Sequence, residues 1–159
     1  MNLMKISQKG IDLIKKFEEC KLYAYRDSVG VPTIGYGHTK NVKMGMSITH
    51  QQAEQFFNED IVQIEKELNG LCINFSQNQF DALCSWIFNL GIGRFNNSTL
   101  RDYIVARRKD TDIAGQIVRW VYAGGKPLLG LKKRRVEEAN MFVGSSIYYV
   151  NNIGNIVKK

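Results

Sequence analysis

A chain of 159 residues with 44% hydrophobic content matches one compact globular domain, or two small lobes sharing a core, and excludes a disordered or membrane-embedded reading. The formal charge of +7 and a pI near 9.4 call for an anionic partner; nucleic acid, a membrane surface and an anionic polysaccharide all qualify. Cys20, Cys72 and Cys84 match neither a redox pair nor a zinc site, so free packed thiols are expected, with no metal and no cofactor.

The N-terminal MNLMKISQKG lacks the apolar core of a secretion signal, and no later segment approaches the roughly 18 uninterrupted apolar residues of a membrane span. A chain made and kept in a cytoplasm, without a membrane anchor, is the expectation. Ile11, Ile14 and Phe17 then recur at helical spacing after a Ser7 cap, which predicts a short first helix. Glu18 lies at i+7 from Ile11 and i+4 from Ile14, so it continues the apolar stripe; Glu19 continues the wet row of Asp12, Lys15 and Lys16. One acid is expected to point inward and the other outward.

From Leu22 to about Thr39, alternation and glycines replace the helical period and predict short strands joined by tight turns. Thr49 with Gln52 is a capping box, and Phe56, Phe57, Ile61, Ile64 and Leu68 carry the helix it opens to about Asn69, long enough to link two lobes. Ser76 with Gln79 repeats the box ahead of Phe80, Leu83, Cys84, Ile87 and Phe88, the stripe of a central core helix. Further helices are expected over Ser98 to Ala106, Asp112 to Ala123 and Leu131 to Val143, making the second half all helical. The tail from Gly144 shows no readable pattern. Ten Lys or Arg against three Asp between Arg101 and Arg135 put the basic charge in this half.

An acid on an apolar stripe, at the end of a helix opening onto a small sheet, is expected to be desolvated and to hold its proton. Asp27, among Arg26, Ser28 and the Gly30 turn, is expected to stay hydrated or hydrogen-bonded and ionised. Two carboxyls driven to opposite protonation states are what glycoside hydrolysis uses. Taken alone, two acids nine residues apart are more often unrelated surface groups.

The wider segment is more specific. Glu18, Asp27, Gly30, Thr33, Ile34, Gly35, Tyr36, Gly37 and His38 fill the pattern E-x8-D-x2-G-x2-T-I-G-Y-G-H. That pattern resembles the active-site hairpin of the phage-type lysozymes, the endolysins of glycoside hydrolase family 24. FNLGIGRFNNSTL (Phe88 to Leu100) and RWVYAGGKPLLGLKKRR (Arg119 to Arg135) also resemble family segments, so the likeness runs from about Ile6 to Val143. It implies a mostly helical α+β, two-lobed lysozyme fold in a single domain: helix and hairpin lobe over 1–48, linking helix over 49–70, helical lobe over 71–143, tail over 144–159.

The resemblance further implies that Glu18 donates the proton, that Asp27 positions water or stabilises oxocarbenium character, and that Thr33 places its hydroxyl beside that water. Tyr36, Asn89, Arg134 and Arg135 are substrate-side candidates, although a Lys-Arg run is more often a solvated helix face. His38 is expected to be structural, with Asp60 its partner. Glu19 stands where the family usually has Gly, and Pro32 where it often has an aromatic residue. The implied activity is muramidase cleavage of peptidoglycan by a monomer, released from the host cytoplasm once a holin has permeabilised the membrane. A lytic transglycosylase is the near alternative and a basic nucleic-acid-binding module the distant one; the latter leaves Gly30 to His38 unexplained.

Overall fold

The computed structural model describes residues 3–159. α1 (Gln8–Phe17) leads into an antiparallel pair, β1 (Lys21–Arg26) and β2 (Pro32–Gly35), and then into the 20-residue α2 (His50–Asn69). α3 (Gln77–Leu90), α4 (Ile92–Asn96), α5 (Thr99–Val105) and α6 (Asp110–Ile117) follow, then a two-residue-strand hairpin of β3 (Tyr122–Ala123) and β4 (Lys126–Pro127). α7 (Leu129–Val143) and a last hairpin of β5 (Tyr148–Val150) and β6 (Ile156–Lys158) complete the chain.

The two capping boxes form as read. Thr49 accepts from Gln52 N and Ser76 from Gln79 N, and each glutamine side chain accepts from its cap's own N–H, so both helices begin with orphan donors satisfied. Ser7 behaves differently. It holds the N-cap position of α1, but its hydroxyl donates to Asp81 on α3, tying the entry of the chain to the central helix instead of closing its own first turn. Ile6 N also donates to Glu65 on α2 at 2.8 Å.

α2 joins two apolar clusters. Phe57 and Ile61 on its first half pack with Ile14 of α1 beside Tyr36, while Ile64 and Leu68 enter the larger cluster around Phe80, Leu83 and Trp86 of α3. The whole is a lysozyme-like α+β fold: a hairpin-bearing lobe, a long bridging helix and a helical lobe centred on α3.

The second half is not all helical. The helix expected over Asp112 to Ala123 stops at Ile117, because Gly124 and Gly125 take φ of 58° and 77° and close a tight hairpin between β3 and β4. A five-residue helix, α4, fills the interval between the central core helix and the helix expected from Ser98, and α7 starts two residues before the expected Leu131. The unread tail is ordered: β5 and β6 pair across an Asn151 to Asn155 turn, Asn140 of α7 bonds the backbone of Tyr148, and Lys132 Nζ donates to Gly154 O. All three cysteines are free, but the expectation of packed thiols fails for Cys72, which is exposed just past the end of α2.

Candidate active site

α1 ends at Phe17, and Glu18 is its C-cap, with extended backbone (φ −103°, ψ 125°) and its N–H donating to Ile14 O. The carboxyl therefore leaves the helix where the chain turns into β1, and does not sit on the apolar stripe as a helical residue. Its surroundings differ accordingly from the apolar setting expected: Arg134 Nη1 donates to Glu18 Oε1 at 2.7 Å. The other oxygen, Oε2, takes no hydrogen bond from the described residues and faces Gly37, where a Cβ would lie 3.8 Å away. Glu19, 81% exposed at its side chain, pairs loosely with Lys21 at 3.3 Å and points away from this assembly.

Across the hairpin, Asp27 closes the turn between β1 and β2. Its Oδ1 accepts from Val29 N at 3.0 Å and Val31 N at 2.8 Å, its own N–H donates to Val31 O, and Gly30 takes φ 88°. An Asx-type turn of this kind holds the carboxylate by backbone donors and leaves Oδ2 untied. Thr33 pairs with Tyr25 and is buried; its hydroxyl donates to Val31 O at 2.8 Å. Asp27 and Thr33 are thus brought together through one carbonyl and not through a direct bond. Pro32 starts β2 opposite Arg26, a strand-end position that needs no amide donor.

Tyr36 lies in the small-lobe core, edge-on to Phe57, and its hydroxyl donates to Glu54 Oε1 at 3.1 Å. Burial and that carboxylate push the phenol up to about 12. His38 is buried, stacked on Phe56 and 2.9 Å from Asp60 Oδ2, the partner expected for it. Burial raises the Asp60 carboxyl, with His38 opposing the shift. A cavity of about 280 Å³ opens beside this pair, between Gly37, Thr39, Phe88, Gly91 and Ile92, and Gly37 joins it to Glu18.

Arg134 and Arg135 are buried under the site; they are not a solvated face, and Lys132 is tied to Gly154. The continuous basic surface that favoured a nucleic-acid module is therefore absent from 132–135. Arg134 Nη2 donates to Ser85 O and its Nε to Glu138 Oε2 at 3.2 Å, while Ser85 Oγ donates to the same oxygen at 2.5 Å. Arg135 Nε stands 2.8 Å from Glu138 Oε1, and Nη2 donates to Asn89 Oδ1 at 2.7 Å. Burial lowers the Arg135 guanidinium from its ordinary value, with Glu138 opposing. Ser85 and Glu138 were missed from the sequence. The signal was present: Leu131, Arg135, Glu138 and Phe142 form one stripe at i, i+4, i+7 and i+11, the same logic that singled out Glu18.

The hairpin lobe, bridging helix and helical lobe, with an acid at the end of the first helix and another in the following turn, define a protein of the lysozyme class. The family described as phage lysozyme matches residues 15–138. An endolysin of Acyrthosiphon pisum secondary endosymbiont phage 1 is 42% identical over 147 residues, covering 87% of this chain and 98% of that one. The endolysin of Salmonella phage P22 is 38% identical over 143 residues, covering 86% and 97%. Among solved structures, the muramidase domain of SpmX from Asticaccaulis excentricus superposes with a TM-score of 0.77 at 34% identity, covering 87% of this chain and 97% of that one. A P22 lysozyme mutant gives 0.73 at 36%, covering 88% and 99%. The chain belongs to the phage lysozyme family.

Proposed function

We propose that the protein is a wall-lysing endolysin acting as a muramidase, hydrolysing the β-1,4 bond between N-acetylmuramic acid and N-acetylglucosamine with inversion. Family membership supports the glycoside hydrolase class. The observation that carries the finer reading is the division of each acid into one tied and one untied oxygen. Arg134 is donor-only and occupies Glu18 Oε1, so a proton on this carboxyl belongs on Oε2, the oxygen beside Gly37 and the cleft. From there it passes to the glycosidic oxygen as the bond to the anomeric carbon breaks.

Water enters from the other carboxyl. The Thr33 hydrogen is spent on Val31 O, which leaves its oxygen as an acceptor. A water giving one hydrogen to Thr33 Oγ1 and the other to Asp27 Oδ2 presents its lone pair to the anomeric carbon and loses its proton to Asp27 as the new C–O bond forms. Such attack needs the carboxyls on the order of 6.5 to 9.5 Å apart, and yields an α-anomer from the β-linked chain. Peptidoglycan carries lactyl-peptide carboxylates, which suit a +7 protein. On the same reading the protein works as a monomer and reaches the wall after a separate holin opens the membrane; no helix of the described residues is long and apolar enough to cross one.

Product analysis tests this against the transglycosylase alternative. Mass spectra of digested wall should show one water added per cut, with the α-anomer first in early proton NMR. Anhydro-muramic ends would overturn hydrolysis, and a first-formed β-anomer would overturn inversion.

A further inference from the structure

Glu138 is a fully buried carboxylate between two buried arginines on its own helix, and each arginine reaches a different side chain above it, Glu18 for Arg134 and Asn89 for Arg135. One arm runs from Glu138 through Arg134 to Glu18; the other runs through Arg135 to Asn89 in the last turn of α3, between the cleft-lining Phe88 and Gly91. Ser85, one turn before Asn89 on α3, donates to Glu138 and fixes the junction.

The second arm decides which way an amide faces. A guanidinium only donates, so Arg135 Nη2 can be met only by the oxygen of Asn89, and the Nδ2 hydrogens must point elsewhere. Asn89 is half-buried and its Nδ2 has no partner among the described residues, which leaves an oriented two-hydrogen donor on the turn of helix that also carries the cleft-lining Phe88. Arg135 Nη2 also donates to Glu138 Oε2 at 3.3 Å, while its Nε to Oε1 contact at 2.8 Å is an ion pair without hydrogen-bond geometry and buried Nη1 is left without a partner. An apolar side chain of similar volume there would avoid the guanidinium's own desolvation and leave the Glu138 charge to Arg134 alone.

We propose that Glu138 is a positioning residue serving both arms, and that its Arg135 arm presents the Asn89 amide as the hydrogen-bond donor to a carbonyl oxygen of the glycan, of the acetamido kind. This rests on the reading of Glu18 as proton donor for the first arm only; the second is a binding claim that stands apart from catalysis.

The test is a cycle of Asn89→Ala, Arg135→Met and the two combined, with Glu138→Gln alongside, read by kcat and KM on soluble glycan strands and by Kd for chitotriose. Asn89→Ala and Arg135→Met should each raise KM and Kd by about 3- to 10-fold, the loss of one neutral hydrogen bond, and the combination should do no more than either alone. The effect should fall on KM more than on kcat. Glu138→Gln should show the same rise in KM and also lower kcat by about 10- to 100-fold, because the proton donor is no longer held in place. If Glu138→Gln does not fold, Ser85→Ala takes its place as a milder loosening of the junction and should move kcat and KM in the same directions.

Additive effects in the Asn89 and Arg135 cycle, or wild-type Kd in Asn89→Ala, would overturn the second arm. A folded Glu138→Gln or Ser85→Ala with wild-type kcat would overturn the first. The Kd arm separates these outcomes from a failure of the proposed function: a wild-type protein that binds chitotriose without cutting wall glycan sinks the muramidase reading and leaves the Asn89 result to stand or fall by itself.

Discussion

Glu18 is tied by a side-chain cation and Asp27 by backbone donors, and the proposed roles of proton donor and water-holding carboxylate rest on this difference. A guanidinium from another helix makes the direction of Glu18 depend on the packing of the helical lobe, whereas Asp27 is fixed by its own turn. Thr33 is tied to the same turn through Val31 O, so Thr33→Val should keep the hairpin, whose Asp27 to Val31 bonds remain, and lose the hydroxyl both as donor to Val31 O and as acceptor for water. Its rate of wall lysis should fall by about 10²-fold or more, since positioning of the attacking water is lost, with stability lowered only by the roughly 1 kcal/mol of one hydrogen bond; full activity in the folded variant would remove Thr33 from the mechanism. Tyr36 gives a pH prediction. Its folded value of about 12 exceeds the ordinary 10.0, so the native state keeps a proton that the unfolded chain releases. The stabilisation is present in full below pH 10 and is lost as pH rises toward 12. Urea midpoints across that window should fall more steeply for the native protein than for Tyr36→Phe, and parallel slopes would contradict the assignment.

Helices whose ends are written in capping residues were legible; elements set by tertiary contact were not. α2 begins at the Thr49 box and ends at Asn69 as read, because the cap is a local bargain between a hydroxyl, a glutamine and two amides. Removing it with Thr49→Ala should cost about 1 kcal/mol by chemical denaturation, with Thr49→Ser nearly neutral; equal losses for both would show that packing of the methyl group matters and the hydroxyl does not. Ser7 looked like the same signal and was used otherwise, since Asp81 competes for its hydroxyl from a helix 74 residues away. The β3 to β4 hairpin was hidden by an apolar run that reads equally well as a helix until Gly124 and Gly125 are given positive φ. The tail hairpin has strands of three residues, too short for alternation to show.

Across the whole molecule, the acids lie in the small lobe and its junction with the helices, while the groups that hold Glu18 come from α3 and α7. Helical period set Glu18 inward and Glu19 outward, and Glu19 is indeed exposed, but Glu18 stands past the end of the helix as its C-cap, and its role and those of the hairpin residues were drawn from the resemblance. Sequence reading could not reach the charge environment of Glu18, because a partner 116 residues distant leaves no local trace. Nor could it see that Arg134 and Arg135 turn inward, since a basic run is read as surface until the stripe through Glu138 is followed. The central claim is that Glu18, and not the acid beside it, delivers the proton. The most direct measurement is the rate of wall lysis by purified, folded Glu18→Gln and Glu19→Gln. Loss of at least about 10²- to 10⁴-fold in the first, with the second close to the native rate, is the predicted result; an active Glu18→Gln beside an inactive Glu19→Gln would contradict it.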